Sequence, residues 1–177
     1  VNVYGVSERY LNVYGEKDLR AQMNQFFHRT YTHPVDGTTL DMKMLCNWYW
    51  YDETAILETG KGTKDWNFYR YAETLLSAAE AIAQSSGVNA EAAGYLAQVK
   101  ARANMEGKDV STIASELQRS GKQAFIEECW KERLREFPLE MKIWDDCVRT
   151  GKFPQISATN KGEVQFVDLI GATNGSG

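Results

Sequence analysis

Residues 68–87 of the chain read FYRYAETLLSAAEAIAQSSG, and they carry the clearest structural pattern in the sequence. Its apolar residues recur at intervals of three and four positions, which places them on one face of an α-helix. Polar residues fall on the opposite side, and Gly87 is suited to the left-handed conformation that closes many helices. The apolar face consists of Phe68, Ala72, Leu75, Leu76, Ala79, Ile82 and Ala83.

A second helix is predicted immediately after the first. Asn89 can cap its N-terminus, and Glu91 lies where a negative charge favours the helix dipole. The short link between the two helices forces them into an antiparallel hairpin. Both contact faces are rich in alanine, so the helix axes can approach closely. The apolar stripe of the second helix is Ala92, Ala93, Leu96, Val99 and Ala103.

Further helices are predicted downstream. A short segment opens at Ser111, and a longer helix follows it as far as Phe137. Pro138 is incompatible with a helix interior, so a kink or a restart belongs there. A final short helix is closed by Gly151. The pattern therefore predicts a mainly α fold with a helical core at residues 65–152.

The two flanks of this core lack a sustained helical period. Residues 1–64 are predicted to be an irregular, loop-rich region with one short helix over Asp18–Tyr31, capped by Asp18. Residues 48–51 alternate like a short strand or an extended segment. Residues 153–177 are predicted to be an irregular tail with one strand-like run at 164–167. The apolar side of the short helix would consist of Met23, Phe26 and Phe27.

Composition excludes several classes of protein. The chain has 177 residues, 20 Lys and Arg against 24 Asp and Glu, and a net charge of −4. A mildly acidic chain without a basic cluster is a poor candidate for binding nucleic acid or an anionic membrane surface. No stretch approaches the roughly 18 consecutive apolar residues that a transmembrane helix requires. The sequence therefore predicts neither a nucleic-acid partner nor a transmembrane segment.

Cysteines and histidines do not form a metal-binding pattern. The three cysteines, Cys46, Cys129 and Cys147, are far apart and match no metal-ligand spacing. We expect buried free thiols, with a Cys129–Cys147 disulfide as the alternative. His28 and His33 are five positions apart, whereas zinc ligands on a helix are three or four apart. No metal site and no cofactor are predicted.

Acidic and basic residues are interlaced between positions 127 and 149. A pair of carboxylates could catalyse glycoside hydrolysis. Glu132 and Glu136 lie one helical turn apart, but they stand among cations such as Arg133, which lower a carboxyl pKa. A general acid needs the opposite, a pKa raised by an apolar pocket. The pattern therefore favours a structural ion-pair network, and no catalytic residue is predicted.

Aromatic residues crowd the stretch before the first long helix. Their rings can stack on the apolar C–H faces of sugars while neighbouring polar groups bind hydroxyls. Trp48, Trp50 and Trp66 are the candidate glycan-stacking residues. The alternative is core packing, because alternation sends Trp48 and Trp50 to one side and Tyr49 and Tyr51 to the other.

Several motifs resemble one known family. Residues 70–76, RYAETLL, with Ala79-Glu80-Ala81 after them, resemble the Arg-Tyr-Ala-Glu/Asp-x-Leu-Leu…Ala-Glu-Ala signature of the SusD/RagB family. Its Val-Arg-x-Arg-Ala signature is matched at 99–103, with lysine replacing the first arginine, and Asp18 and Arg20 resemble its Asp-x-Arg. A further signature is matched at Glu132, Arg133, Glu136, Phe137, Glu140, Trp144, Asp146, Arg149 and Gly151. It is broken at Met141, Ile143 and Cys147, where Gly, Arg and Leu are usual.

The resemblance implies a SusD-like α-helical fold, with tetratricopeptide-like hairpins and long irregular loops. It covers residues 16–153 and corresponds to the later half of a typical member. The lipobox cysteine, the early helices and the usual closing segment of the family are not found, so we expect this chain to be a fragment. In the family, the signature residues tie helices together. This reading assigns a structural ion-pair network to Arg70, Glu73, Glu132, Arg133, Glu136, Asp146 and Arg149.

The resemblance also implies a function. Members are surface nutrient-binding proteins of the outer membrane that hold an oligosaccharide or polysaccharide and deliver it to a SusC-like TonB-dependent transporter. They are not enzymes, and a lipid anchor is expected in the full-length protein but absent from this chain. Sugar contacts follow no motif in the family, so none carries over by position. The alternative function is a helical scaffold for protein–protein interaction without sugar binding.

Overall fold

The structure, a computed structural model, describes residues 5–171. Within that range it contains five α-helices and two separate two-stranded antiparallel sheets, which confirms the predicted mainly α fold. The helices are α1 (Tyr71–Ser86), α2 (Ala90–Ala101), α3 (Val110–Gln118), α4 (Lys122–Glu136) and α5 (Ile143–Thr150). The strands are β1 (Phe27–Thr32), β2 (Thr39–Asn47), β3 (Lys152–Ile156) and β4 (Val164–Asp168).

The predicted hairpin of α1 and α2 is confirmed. Asn89 caps α2 by accepting a hydrogen bond from the backbone N–H of Ala92 at 2.9 Å. Gly87 has a positive φ of 82°, which favours glycine, but its ψ of 176° lies outside the left-handed helical region that we predicted. Alanines on the contact faces are fully buried, so the two backbones lie close together.

α4 packs against this hairpin and closes the main core. A smaller cluster forms where the N-terminal segment meets α4 and the two strand pairs. The main core is built from Leu75, Leu76, Leu96, Val99, Phe125, Ile126, Cys129, Trp130 and Phe137, together with the alanines of α1 and α2. The smaller cluster consists of Val13, Tyr14, Phe27, Leu45, Leu134 and Val164.

The helical run breaks at Pro138, as predicted. α4 ends at Glu136, and α5 starts at Ile143. Between them Leu139 and Met141 adopt positive φ values of 60° and 62°, so the chain reverses tightly there. Gly151 closes α5 in the left-handed conformation, which confirms that prediction.

The predicted short helix over Asp18–Tyr31 is wrong. A single 3-10 turn, Leu19–Ala21, follows Asp18, whose side chain does accept a hydrogen bond from the Arg20 backbone as a cap. The chain then enters β1, which pairs antiparallel with β2. Threonine and aromatic side chains favour a strand here, and the turn after His33 closes the hairpin with a backbone hydrogen bond from His33 to Thr38. The turn after His33 favours a β-hairpin more strongly than the spacing of Met23, Phe26 and Phe27 favours a helix.

Two further segments differ from the predictions. Residues Trp48–Trp50 form a 3-10 turn rather than a strand, because the Asn47 side chain accepts a hydrogen bond from the Tyr49 backbone N–H and caps the turn. After α5, β3 pairs with β4 through residue 168, where we predicted an irregular tail. The strand-like run at 164–167 within that tail is confirmed. Residues 172–177 lie outside the described residues.

The structure also tests the predictions for the cysteines and for a transmembrane segment. Cys46, Cys129 and Cys147 are buried thiols, and the alternative Cys129–Cys147 disulfide is not formed. Across residues 5–171, no helix combines the length and the apolar character needed to cross a bilayer.

Replacing Ala79 with leucine should destabilise the fold by about 1–3 kcal/mol, because a larger side chain overpacks a site that is completely buried between helices. Urea denaturation measures the loss. The matched control is Ala81→Leu on the exposed side of the same helix, which should change stability by less than about 0.5 kcal/mol. Equal effects at both positions would contradict the close packing of α1.

Candidate functional site

The buried charges of α4 form the best-defined polar centre of the molecule. Glu132 and Glu136 are both almost fully buried, one helical turn apart. Arg20 donates to Glu132 Oε1 at 2.8 Å and to Glu136 Oε2 at 3.1 Å. Its remaining donors bind both carboxylate oxygens of Asp18, at 2.9 and 2.7 Å. The segment before β1 is therefore tied to the last two turns of α4.

Glu136 also binds the helical hairpin. Arg70, which precedes α1, donates to Glu136 Oε1 at 3.0 Å and forms two hydrogen bonds of 2.8 Å with Glu140. Arg102, which follows α2, donates to the same Glu136 oxygen at 2.5 Å. One buried carboxylate thus accepts hydrogen bonds from three guanidinium groups.

A second group of charges joins α1, α4 and α5. Arg133 donates to Asp146 at 2.7 Å and lies 3.5 Å from Glu73. Arg149 bridges Asp146 and Glu80, at 2.8 Å to each. Each sequence-predicted network residue is therefore paired, but in two clusters rather than one. The sequence prediction left out several partners, among them Arg20, Glu80, Arg102, Arg135, Glu140 and Lys142.

The role of one omitted residue, Glu80, could have been inferred from its position in the sequence. We placed Glu80 with the polar residues opposite the apolar face of α1, but it is four positions after Leu76 and three before Ala83, at the edge of that face, where an acidic residue is unexpected unless it is paired. It is buried, and it accepts hydrogen bonds from Trp130 Nε1 at 2.8 Å and from Arg149. A charge at the edge of an apolar face therefore indicated a partner from another helix.

Trp48 is not available for stacking on a ligand. His28 lies parallel to it with ring centroids 3.7 Å apart, and Tyr51 lies parallel to it at 4.3 Å. Two coplanar rings cannot lie side by side within such distances of one centroid, so they cover opposite faces of the indole. Only its edge is left for other contacts. Trp48 is therefore excluded from the predicted stacking set.

Trp50 and Trp66 lie instead at the surface, in a chain of edge-on and tilted ring contacts that we call the aromatic strip. Successive ring centroids in the strip are 6.1, 6.3 and 5.0 Å apart. Lys142 Nζ lies 4.8 Å from the last ring. The strip consists of Trp50, Trp66, Phe68 and Tyr69, with exposed fractions of 40%, 51%, 66% and 72%.

A cavity of about 420 Å³ opens beside the buried charges, and we call it the arginine cavity. It is separate from the ring faces of the strip, although Tyr49 connects the two by lining the cavity and contacting Trp50 edge-on at 4.9 Å. The Tyr49 hydroxyl is buried and has no hydrogen-bond partner among the described residues. Residues that line the cavity include Leu19, Phe26, Trp48, Tyr49, Arg70 and Arg102.

Within residues 5–171, no group of His, Cys, Asp and Glu is arranged to hold a metal ion. His28 is engaged by Trp48, and His33 lies in the β1–β2 turn, 3.3 Å from Asp36. The two histidines therefore serve local packing and turn structure.

The family model that describes the SusD family matches residues 10–170 of the chain. The chain belongs to the SusD family. The crystal structure of a SusD superfamily protein from Parabacteroides distasonis is similar to it, with 26% sequence identity and a TM-score of 0.76. That similarity covers 96% of this chain and 35% of the other, so this chain spans about a third of the length of that protein. No curated protein matches the chain.

In this SusD-family chain the buried carboxylate of Glu132 is held ionised. Burial alone would raise the pKa of Glu132, but the charges of Arg20, Lys100 and Arg135 outweigh burial and lower it to about 2. A carboxyl group with such a pKa carries no proton to donate near neutral pH. Glu132 can therefore anchor cations, but it cannot act as a general acid.

Stability should consequently depend on the ionisation of Glu132. Because its pKa is below the ordinary value of 4.5, its contribution is complete above that pH and is lost as the pH falls towards about 2. Glu132→Gln should cost about 3–5 kcal/mol at pH 7, since it leaves buried guanidinium groups without their counter-charge.

Urea denaturation at pH 7 and at pH 3 measures both effects. The wild-type chain should lose more unfolding free energy between the two pH values than Glu132→Gln does. Glu53→Gln, at an exposed carboxylate, is the matched control and should behave like wild type. An unchanged pH dependence in Glu132→Gln would show that this carboxylate does not hold the segments together.

Proposed function

We propose that this SusD-family chain binds oligosaccharides through the aromatic strip, as a surface nutrient-binding protein that delivers them to a SusC-like TonB-dependent transporter. The observation that carries the proposal is the exposure of four adjoining aromatic side chains. Contiguous exposed apolar patches mark interaction sites in soluble domains. Aromatic rings suit the C–H faces of sugars, because they present broad apolar surfaces beside polar edges.

Polar groups next to the strip can bind sugar hydroxyls. Lys142 contacts both Phe68 and Tyr69, and it forms a salt bridge with Glu73 at 3.1 Å. Lys64 lies 5.4 Å from the centre of the Tyr49 ring, next to the start of the strip. Ammonium groups in such positions donate hydrogen bonds to hydroxyl oxygens without covalent chemistry.

The pairing of the buried carboxylates favours sugar binding without hydrolysis. A retaining or inverting glycosidase needs one carboxyl group with a raised pKa and one free carboxylate facing a cleft. Glu132 and Glu136 are instead occupied by arginines on every side. The proposal therefore assigns these carboxylates a structural role and assigns the chain no enzymatic step.

The cellular setting is part of the same proposal. Family membership supports an outer-membrane location at the cell surface, with a lipid anchor on the full-length protein and the transporter as partner. The alternative, a helical scaffold that binds a partner protein, has one observation in its favour. Met141, Trp144 and Val148 are exposed along one side of α5 and the loop before it. A scaffold would give no response to any sugar.

Replacing Trp50 and Trp66 together with alanine should weaken oligosaccharide binding at least tenfold, because truncating aromatic anchors removes most of the stacking surface. Isothermal titration calorimetry against a panel of plant, host and bacterial polysaccharides measures the affinity. The matched control is Trp144→Ala, which removes an indole of similar exposure on α5, outside the strip.

Circular dichroism would establish that both variants remain folded. The proposal fails if wild-type protein binds none of the glycans, which would favour the scaffold. It also fails if the double variant binds as tightly as wild type, since the sugar would then lie elsewhere.

A further inference from the structure

The arginine cavity has the size and composition of a small-molecule site. Its volume of about 420 Å³ lies within the range of roughly 300–1,000 Å³ that is usual for ligand pockets. Leu19, Phe26, Trp48 and Tyr49 contribute apolar surface to its lining. Two carboxylates, Glu136 and Glu140, also line it, and both are paired with arginines of the same lining. Such a lining suits a ring with apolar faces and a small number of polar groups.

Arg102 gives the cavity a cationic group with unused donors. Its side chain is 58% exposed, whereas Arg20 and Arg70 are 5% and 22% exposed and are tied to carboxylates on several sides. A guanidinium group has five N–H donors. Arg102 uses one of them, towards Glu136, and no other acceptor contacts it among the described residues.

The acceptor that Arg102 does have is shared. Glu136 carries one negative charge and also binds Arg20 and Arg70. Arg102 is therefore the exposed member of an ion-pair network in which the Glu136 carboxylate is shared with two other arginines. A carboxylate from outside could accept two parallel N–H bonds from its planar group, the geometry in which arginine binds carboxylates most strongly.

One further group at the cavity can bind a ligand oxygen. The exposed Gln25 side chain lines the cavity and forms no hydrogen bond with the described residues, so its amide can both donate and accept. The Tyr49 ring also lines the cavity, but its hydroxyl is fully buried and therefore offers no donor to a ligand there.

We propose that the arginine cavity binds a uronic acid, with the carboxylate on Arg102, a hydroxyl on Gln25 and the ring against Phe26 and Leu19. The proposal rests on the proposed function in one respect: it makes the cavity the subsite for the acidic end of a glycan whose neutral part lies on the aromatic strip. The contact of Tyr49 with Trp50 joins the two surfaces. An acidic glycan, rather than a neutral one, is then the substrate class of the whole site.

Monosaccharides separate the cavity from the strip, because a single sugar can occupy the cavity alone. Methyl β-D-glucuronide should bind at least tenfold more tightly than methyl β-D-glucoside, measured by calorimetry or by saturation-transfer difference NMR. Arg102→Gln should weaken glucuronide binding at least tenfold, and Arg102→Lys should weaken it less, since lysine keeps the charge but not the paired donors. Arg119→Gln, at an exposed arginine directly after α3 and outside the cavity, is the matched control and should bind like wild type.

Each outcome decides between the two proposals. The uronic acid proposal is overturned if the glucuronide binds no better than the glucoside, or if Arg102→Gln leaves its affinity unchanged. It is also overturned if acetate competes as well as the glucuronide, because the cavity would then hold a bare anion. Arg102→Gln should retain the binding of neutral oligosaccharides that the Trp50 and Trp66 double variant loses. Wild-type protein that binds neutral oligosaccharides but not the glucuronide would overturn the cavity proposal alone, and wild-type protein that binds the glucuronide but no neutral oligosaccharide would overturn the strip proposal alone.

Discussion

Three arginines from distant parts of the chain converge on the carboxylate of Glu136, and the arrangement of the other segments depends on that convergence. Arg20 fixes the N-terminal segment, Arg70 fixes the start of α1, and Arg102 fixes the end of α2. Buried ion pairs add little net stability compared with apolar packing of the same volume, but losing one partner is costly. We infer that the network selects one arrangement of the segments rather than supplying most of the folding energy.

The aromatic residues serve two opposite purposes. The ring of Trp48 is enclosed by His28 and Tyr51, so it stabilises the junction between the β1–β2 hairpin and the turn that follows. Trp50 and Trp66 contact their neighbours only by edges and tilted faces, which leaves broad apolar surface in water. Covering exposed rings of that kind with a ligand removes apolar surface from water, which favours binding.

The helices could be predicted from the sequence because their signals are local. The three- and four-residue spacing in α1, the Asn89 cap and the break at Pro138 depend only on neighbouring residues. The β1–β2 hairpin was missed because β1 carries only two aromatic residues among polar ones, Phe27 and Tyr31, and about half of the residues in the two strands are exposed. The enclosure of Trp48 was missed for another reason: its partners are set by the cap of Asn47, which turns a predicted strand into a 3-10 turn. The pairing of charges could be anticipated, but their division into two clusters required the positions of α5 and the N-terminal segment.

The spacing of the Glu136 partners along the chain has a consequence for the order of assembly. The helical hairpin has its contacts close together in sequence and can form early. Arg102 is 34 residues from Glu136, Arg70 is 66 and Arg20 is 116, so the entropy cost of closing the loop is greatest for the contact of Arg20. We therefore expect the segment that carries Arg20 to dock onto α4 after the helical hairpin has formed, and this docking to remove water from the carboxylates of Glu132 and Glu136.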